Sequence, residues 1–290
     1  MAQADVDVFV RLERFYDAVP RPYAAAEDFG GLVLFVREGE GWPYYARPRL
    51  GAETPSAADI TAVRRRQREL GAPEAFEWVH EAAPDLLAIA RSAGLDVHLA
   101  PLLVLEPAAL LPELPVPGAT VRLLDPRSPT FAGDVAASRA VANLGFGAPA
   151  GATLLEEVTS SSLVTLGAGP AERDAATVPL SPAELERMRA LSAGIDFLTA
   201  VADSPTEGIL ATGAIQRAED IAEVVGVATL PSARNRGYAS QLTATLAHRT
   251  LGTGATTVFL SASDDDVARL YTRVGFRRIG TACVAEPAAV

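Results

Sequence analysis

Four prolines fall within eleven residues of this chain, at 107, 112, 115 and 117 in the run EPAALLPELPVPGAT. Each proline lacks a backbone donor and fixes its own φ, so neither a helix interior nor a central strand can cross such a run. The 290 residues are therefore expected to divide into a first domain at 1–106, a linker at 107–118 and a second domain at 119–290. Both domains are of ordinary size.

Apolar periodicity predicts a mixed α/β fold on both sides of the linker. In the first domain, VDVFVRLERFYDAV reads as a helix, and GGLVLFVRE and PYYARPRL as paired strands. PSAADITAVRRRQREL and PDLLAIARSAG read as helices, AFEWVHE and DVHLAPLLVL as strands. In the second, ATVRLLDP is a strand and FAGDVAASRAVANLGFG a helix. An irregular stretch from Gly147 to Pro179 follows, then the helix SPAELERMRALSAG and the strands DFLTAVAD and EGILATGAIQ. AEVVGVATL, TTVFLSAS and FRRIGTACVAE are strands that alternate with the helices GYASQLTATLAHRTL and DDDVARLYTRVG. Both domains share the order strand, strand, helix, strand, helix, strand, which points to an old internal duplication.

Composition narrows the class of partner. The net charge of −11 and pI near 4.8 disfavour general nucleic-acid binding. There is no lysine, so all 25 basic residues are arginine. The single cysteine, Cys283, permits no intrachain disulfide, which fits a reducing compartment, and a small buried hydrophobe is the expected role for it. The N-terminal run MAQADVDVFV carries acids where a signal peptide needs basic residues, and apolar runs such as LAPLLVL are too short to span a bilayer. A cytoplasmic protein without membrane contact is expected. The three histidines, His80, His98 and His248, have no metal-ligand spacing, so no metal is expected.

The most informative stretch is GVATLPSARNRGYASQLTATL, Gly226 to Leu246. A strand runs into a proline, two arginines and a glycine, and a helix of small residues begins. A helix start presents unpaired N–H groups and the positive end of the helix dipole, which together form a ready anion site. Gly237 opens conformations closed to other residues, Ala239 and Ser240 keep the first turn small, and Arg234 and Arg236 add charge. The residues alone also allow a plain strand–turn–helix with surface arginines. The P-loop pattern is absent, and the glycine spacing does not match the dinucleotide-binding turn.

This run resembles the acyl-CoA signature of the GNAT acetyltransferase family, [RQ]-x-x-G-x-[GA], here Arg234, Gly237 and Ala239. Downstream, LSASDDDVARLYTRVGFRRIGT resembles the family's second signature, with Leu270, Tyr271, Gly275 and Phe276 in place. The resemblance covers about residues 220 to 283 and implies a GNAT acyl-CoA N-acyltransferase fold, a mixed sheet flanked by helices, as two GNAT-like domains in tandem. It implies that Val227, Ala228 and Thr229 line the pantetheine arm of acetyl-CoA. Arg234, Asn235, Arg236, Gly237, Tyr238, Ala239 and Ser240 then wrap its pyrophosphate. Tyr271 is the implied acid for the leaving thiolate and Glu223 the implied base for the amine. Glu223 stands eleven residues before Arg234, with Glu219 and Asp220 as rivals.

Bland readings stand beside these. Val267, Leu270, Tyr271 and Val274 recur at helical spacing, so Tyr271 also reads as a core side chain. Glu223 also reads as an edge glutamate in RAEDIAE. Asp264 falls where the family often has asparagine near the cofactor, and it also reads as a helix cap. The first domain has Ala90 where Tyr271 stands and GAETPSAAD in place of the signature, so it is expected to hold no acyl-CoA.

The reading is an acetyl-CoA-dependent N-acetyltransferase acting on a small-molecule or peptide amine, with a homodimer left possible. The alternatives are a catalytically silent CoA-binding module and an acyl or aminoacyl transferase with a tRNA-borne donor, which the acidic balance opposes.

Overall fold

The computed structural model describes residues 3–38, 44–147 and 167–288. Before the proline run the chain forms α1 (Gln3–Ala18), β1 (Ala24–Phe29), β2 (Leu32–Arg37), β3 (Ala46–Pro48), α2 (Ala57–Glu69), β4 (Phe76–Val79), α3 (Leu86–Ser92) and β5 (Leu95–Leu105). After it come β6 (Thr120–Leu123), α4 (Phe131–Phe146), α5 (Pro170–Ala176), α6 (Pro182–Ser192), β7 (Phe197–Ser204), β8 (Gly208–Ala218) and β9 (Ile221–Thr229). The chain closes with α7 (Tyr238–Gly252), β10 (Thr257–Ser261), α8 (Asp265–Val274) and β11 (Phe276–Pro287).

Two elements differ from expectation. The segment AAAEDF is strand β1, although three alanines and two acids give little strand propensity. It forms because Gly30 turns the chain at φ 61° and lays it antiparallel on β2, from Ala24 opposite Arg37 to Phe29 opposite Leu32. The stretch expected to be irregular contains helix α5, which has Pro170 in its first turn, while Glu172 Oε2 accepts the Gly169 N–H at 2.7 Å. Residues 148–166 of that stretch lie outside the described residues.

With β1 in place, the repeated order becomes three strands, helix, strand, helix, strand, as β1–β2–β3–α2–β4–α3–β5 and again as β7–β8–β9–α7–β10–α8–β11.

Packing groups the chain into two compact units. The first comprises Met1–Val104, Phe259–Thr272 and Arg277–Val290; the second comprises Leu105–Val258 and Arg273–Phe276. The division expected from the proline run concerns segments of sequence, whereas the strand pairing reaches across it. In the first unit the strand order is β1-β2-β3-β4-β11-β5-β10. The last strand of the chain thus lies between β4 and β5. β11 runs antiparallel to β4 with Cys283 opposite Trp78 and Ala285 opposite Phe76, and β10 runs antiparallel to β5 with Leu260 opposite Leu103. The core shows the same arrangement: Leu32, Leu34, Ile60, Val63, Phe76, Trp78, Leu86 and Leu95 pack with Cys283 and Ala285 in one buried cluster. Burial pushes the Cys283 thiol up to about 12, so it behaves as the small apolar side chain expected.

The second unit is a meander, β6-β7-β8-β9, antiparallel throughout. Helices α4 and α7 both pack on β8 and β9. These strands are alanine-rich and small-faced, which lets the helices approach closely. Ala211 of β8 and Ala222 of β9 are fully buried, as are Ala200 and Ala202 on the neighbouring β7.

Candidate active site

The second unit carries Arg234, Gly237 and Ala239, the residues of the first signature. Strand β9 is interrupted at Gly226. Ala214 pairs with Val225 and Thr212 with Ala228, so Gly226 and Val227 together face the single Gly213 of β8. Gly226 has φ 61°, a left-handed conformation that only glycine takes without strain, and the result is a β-bulge opened by glycine. The bulge re-aims the three residues after it, Val227, Ala228 and Thr229, which are the ones assigned to pantetheine. Gly213 answers it from the neighbouring strand, since a Cβ there would stand 3.2 Å from Val227 Cγ2. Neither Gly226 nor Gly213 carries a signature of its own in sequence; a glycine within a buried strand was the available signal.

Beyond Thr229 the chain makes a short turn at Pro231–Ala233 and enters the loop 234–237. Two of its residues are left-handed, Asn235 at φ 64° and Gly237 at φ 82°. Asparagine is among the few non-glycine residues that tolerate this region. Gly237 is the N-cap of α7 and has no side chain to offer, so among the described residues no N-cap side chain takes the first N–H groups of that 15-residue helix. Among the described residues a Cβ built on Gly237 would meet nothing within 4 Å, so the space beside this N-cap is open.

The arginines take different positions. Arg234 is exposed, and its Nη2 donates to the Gly145 carbonyl at 2.7 Å. Arg236 lies 3.7 Å from Glu207 and donates to the Ser232 carbonyl at 3.2 Å. Tyr238 is 1% exposed and its hydroxyl donates to the Pro117 carbonyl at 2.6 Å, so its side chain anchors the helix while its backbone N–H stays at the helix start. Ala239 and Ser240 are half-buried in the first turn.

Glu223 lies on β9 opposite Gln216 of β8, 5% exposed, and its Oε2 accepts from Gln216 Nε2 at 2.8 Å. Its rivals are placed differently. Glu219 is an exposed turn residue at φ 56°, and the Asp220 carbonyl accepts the Thr256 and Thr257 N–H groups at 2.8 and 3.2 Å.

Two expected residues belong to the first unit. Tyr271 on α8 is 7% exposed, and burial pushes its phenol up to about 12. Asp264 caps α8, its Oδ1 accepting the Val267 N–H at 2.8 Å while its Oδ2 accepts from Ser263 Oγ at 3.0 Å. The cap is the role this structure gives it. Among the described residues no group of three or more His, Cys, Asp or Glu could hold a metal ion.

The first unit offers a comparison inside the same chain. Adding 181 to a residue number carries the start of α2, Ala57, to that of α7, Tyr238; Phe76 of β4 to Thr257 of β10; and Leu95 of β5 to Phe276 of β11. The same offset lays β3, Ala46–Pro48, on Val227–Thr229, and sets Glu53 against Arg234, Ser56 against Gly237 and Ala90 against Tyr271. Where α7 starts open, α2 starts closed. Ser56 Oγ accepts the Asp59 N–H at 3.2 Å, and Asp59 Oδ2 accepts the N–H groups of Ser56 and Gly31 at 2.8 and 3.3 Å. The Ser56 hydroxyl takes the N–H of Asp59, the position that matches Ser240, and the bonds that Asp59 accepts, the Ser56 N–H first, hold its carboxyl below the usual carboxylate range. Farther along, Arg47 is buried in an ion pair with Glu77 at 3.0 Å, and Glu13 Oε1 accepts the Val79 N–H at 2.7 Å. By the same offset the charged Arg47 of β3 stands where the second half has the small Ala228 on β9.

Residues 204–285 match the family model described as FR47-like protein. No curated protein matches the chain in sequence. Among solved structures, a GCN5-related N-acetyltransferase from Kribbella flavida superposes over 98% of this chain and 96% of that one, at 21% identity and a TM-score of 0.69. A GCN5-related N-acetyltransferase-like protein from Streptococcus suis matches over 97% of this chain and 98% of its own, at 12% identity and a TM-score of 0.52. A tandem GNAT protein from the clavulanic acid biosynthesis pathway matches over 89% and 79%, at 13% identity and a TM-score of 0.51.

Proposed function

We propose, for a chain that carries the GCN5-related N-acetyltransferase fold along nearly its whole length, that it is an acetyl-CoA-dependent N-acetyltransferase. The acceptor is a primary amine of a small molecule or peptide. The observation that carries the reading is the open start of α7 behind the left-handed Gly237, set beside a second copy of the same element that is closed by Ser56 and Asp59. One half of the molecule keeps an anion cradle and the other fills it, so one acyl-CoA per chain is the expected stoichiometry.

The residues present suit that ligand. The N–H groups at the start of α7, from Tyr238 to Ser240, would hold the pyrophosphate, with Arg234 and Arg236 beside them. The bulge at Gly226 would turn the backbone of Val227, Ala228 and Thr229 toward the pantetheine amides. The bound thioester supplies the acyl group and a thiolate leaving group. Glu223, buried and oriented by the Gln216 amide, would accept a proton from the incoming ammonium, directly or through water, leaving a neutral nucleophile. Tyr271, whose phenol stays protonated to about pH 12, would supply a proton to the departing sulfur. Its assignment rests on the LYTRVGF match. Asp264 enters the cofactor contact only if its cap to α8 is shared.

Thiol release from acetyl-CoA, screened against amine libraries, tests the reading. Acyl-CoA-dependent release with at least one amine supports it. Tight CoA binding with no turnover across the library would instead favour a silent CoA-binding module, and no binding at all would overturn both.

A further inference from the structure

We infer that Arg234 is a positioning residue that ties the cradle loop to the last turn of α4, so that an anion in the cradle and the end of α4 stabilise one another. The inference rests on the reading above only for the identity of the anion as the acyl-CoA pyrophosphate.

Helix α4 ends on Gly147 at φ 88°, whose N–H donates to the Asn143 carbonyl at 3.0 Å. The remaining carbonyls of a last turn have no partner in the helix and carry the negative end of its dipole. One of them, on Gly145, accepts from Arg234 Nη2 at 2.7 Å. The same residue leans on the end of β9. A Cβ at Gly145 would stand 2.9 Å from Ala228 Cβ and 3.2 and 3.3 Å from the Thr229 O and N atoms. Only glycine permits that approach. Thr229 and Arg234 are five residues apart, and both meet Gly145. The end of α4, the end of β9 and the cradle loop therefore close into one ring, with the arginine as its polar link.

Chemistry explains why the link is an arginine. A guanidinium has five N–H donors in a fixed fork, and α4 engages one nitrogen of an otherwise exposed side chain. The carbonyl fixes the plane of the fork, leaving its other donors for an oxyanion. A lysine ammonium on its flexible stem cannot hold the carbonyl and orient a planar fork at once. In the first half the same offset places Glu53 at this position, where a carboxylate could neither donate to a helix end nor attract an anion. Because both partners bind through one side chain, the coupling is reciprocal: whatever orders Arg234 at one end favours its contact at the other.

Amide hydrogen exchange on the full chain decides the matter. It is read at Gly147 and the last turn of α4, with and without CoA and with inorganic pyrophosphate. Without ligand, Arg234→Lys is expected to exchange about tenfold faster there than wild type, as loss of one charge-assisted hydrogen bond implies. CoA should slow that exchange in wild type and leave it unchanged in Arg234→Lys, whose CoA affinity should be about tenfold weaker. Gly237→Val, with the cradle spoiled but the link intact, should match wild type without ligand and ignore CoA. Equal exchange at α4 in Arg234→Lys and wild type overturns the link, and so does weakened CoA binding that still slows α4 in the variant. If wild type bound no CoA, the acyltransferase reading would fail, while the ligand-free comparison alone would still support or overturn the link.

Discussion

Gln216 Nε2 donates to Glu223 Oε2 at 2.8 Å across the β8–β9 ladder, on a carboxylate that is 5% exposed. A buried carboxylate fixed by an amide is oriented in a way a mobile surface glutamate is not. Replacing Glu223 by Gln sets two amides face to face, keeping the volume and removing the proposed base. We expect kcat/KM for the amine acceptor to fall about 10²-fold or more at neutral pH. It should recover part of that loss as the pH rises and the amine deprotonates by itself. A variant with wild-type rate and an unchanged pH profile would move the base to Asp220 or to water.

Tyr271→Phe removes a hydroxyl from a buried helix face and leaves the apolar packing of α8 in place. Turnover should fall by about 10²–10⁴-fold with acetyl-CoA affinity held, which steady-state kinetics and calorimetry separate. The phenol also links stability to pH. Its folded pKa of about 12 lies above the unfolded value near 10, so its contribution is whole below about pH 10 and declines as the pH rises toward 12. The denaturation midpoint of Tyr271→Phe should lack that part of the alkaline decline.

Gly237→Val places a branched side chain at φ 82°, a conformation that costs a non-glycine residue about 1–2 kcal/mol. The valine also fills the open space over the start of α7. CoA binding measured by calorimetry should be abolished while the folded baseline in circular dichroism is retained. Undiminished affinity would remove the pyrophosphate from this cradle.

Calorimetry on wild type should give one CoA per chain. Ser56→Ala removes the cap of α2 and should cost about 1 kcal/mol in chemical denaturation without adding a second site. The Asp59 contribution at the same place has the opposite sign of pH dependence to Tyr271. Its folded pKa is depressed, so the stability it lends is present above the unfolded value near 3.9 and is lost as the pH falls below it. A stoichiometry of two would show that the first half also binds.

Local sequence carried much of what this protein is. The strand and helix periods, the turn glycine at Gly237 and the LYTRVGF run are all short-range signals, and each predicted element bearing one formed. Strand β1 was not legible because AAAEDF has no apolar face of its own; a hairpin partner makes it a strand. The bulge at Gly226, the close approach of Gly145 to Thr229 and the bond from Arg234 to α4 were equally hidden, since each pairs residues brought together by the fold. The same holds for β11, whose sequence says strand but not which neighbours it joins. Periodicity is a property of one segment, and pairing is a property of two. The sequence determined the periodic elements and the glycine at the start of α7, and the tertiary structure decided that AAAEDF is a strand, which strand lies beside which and what Arg234 holds.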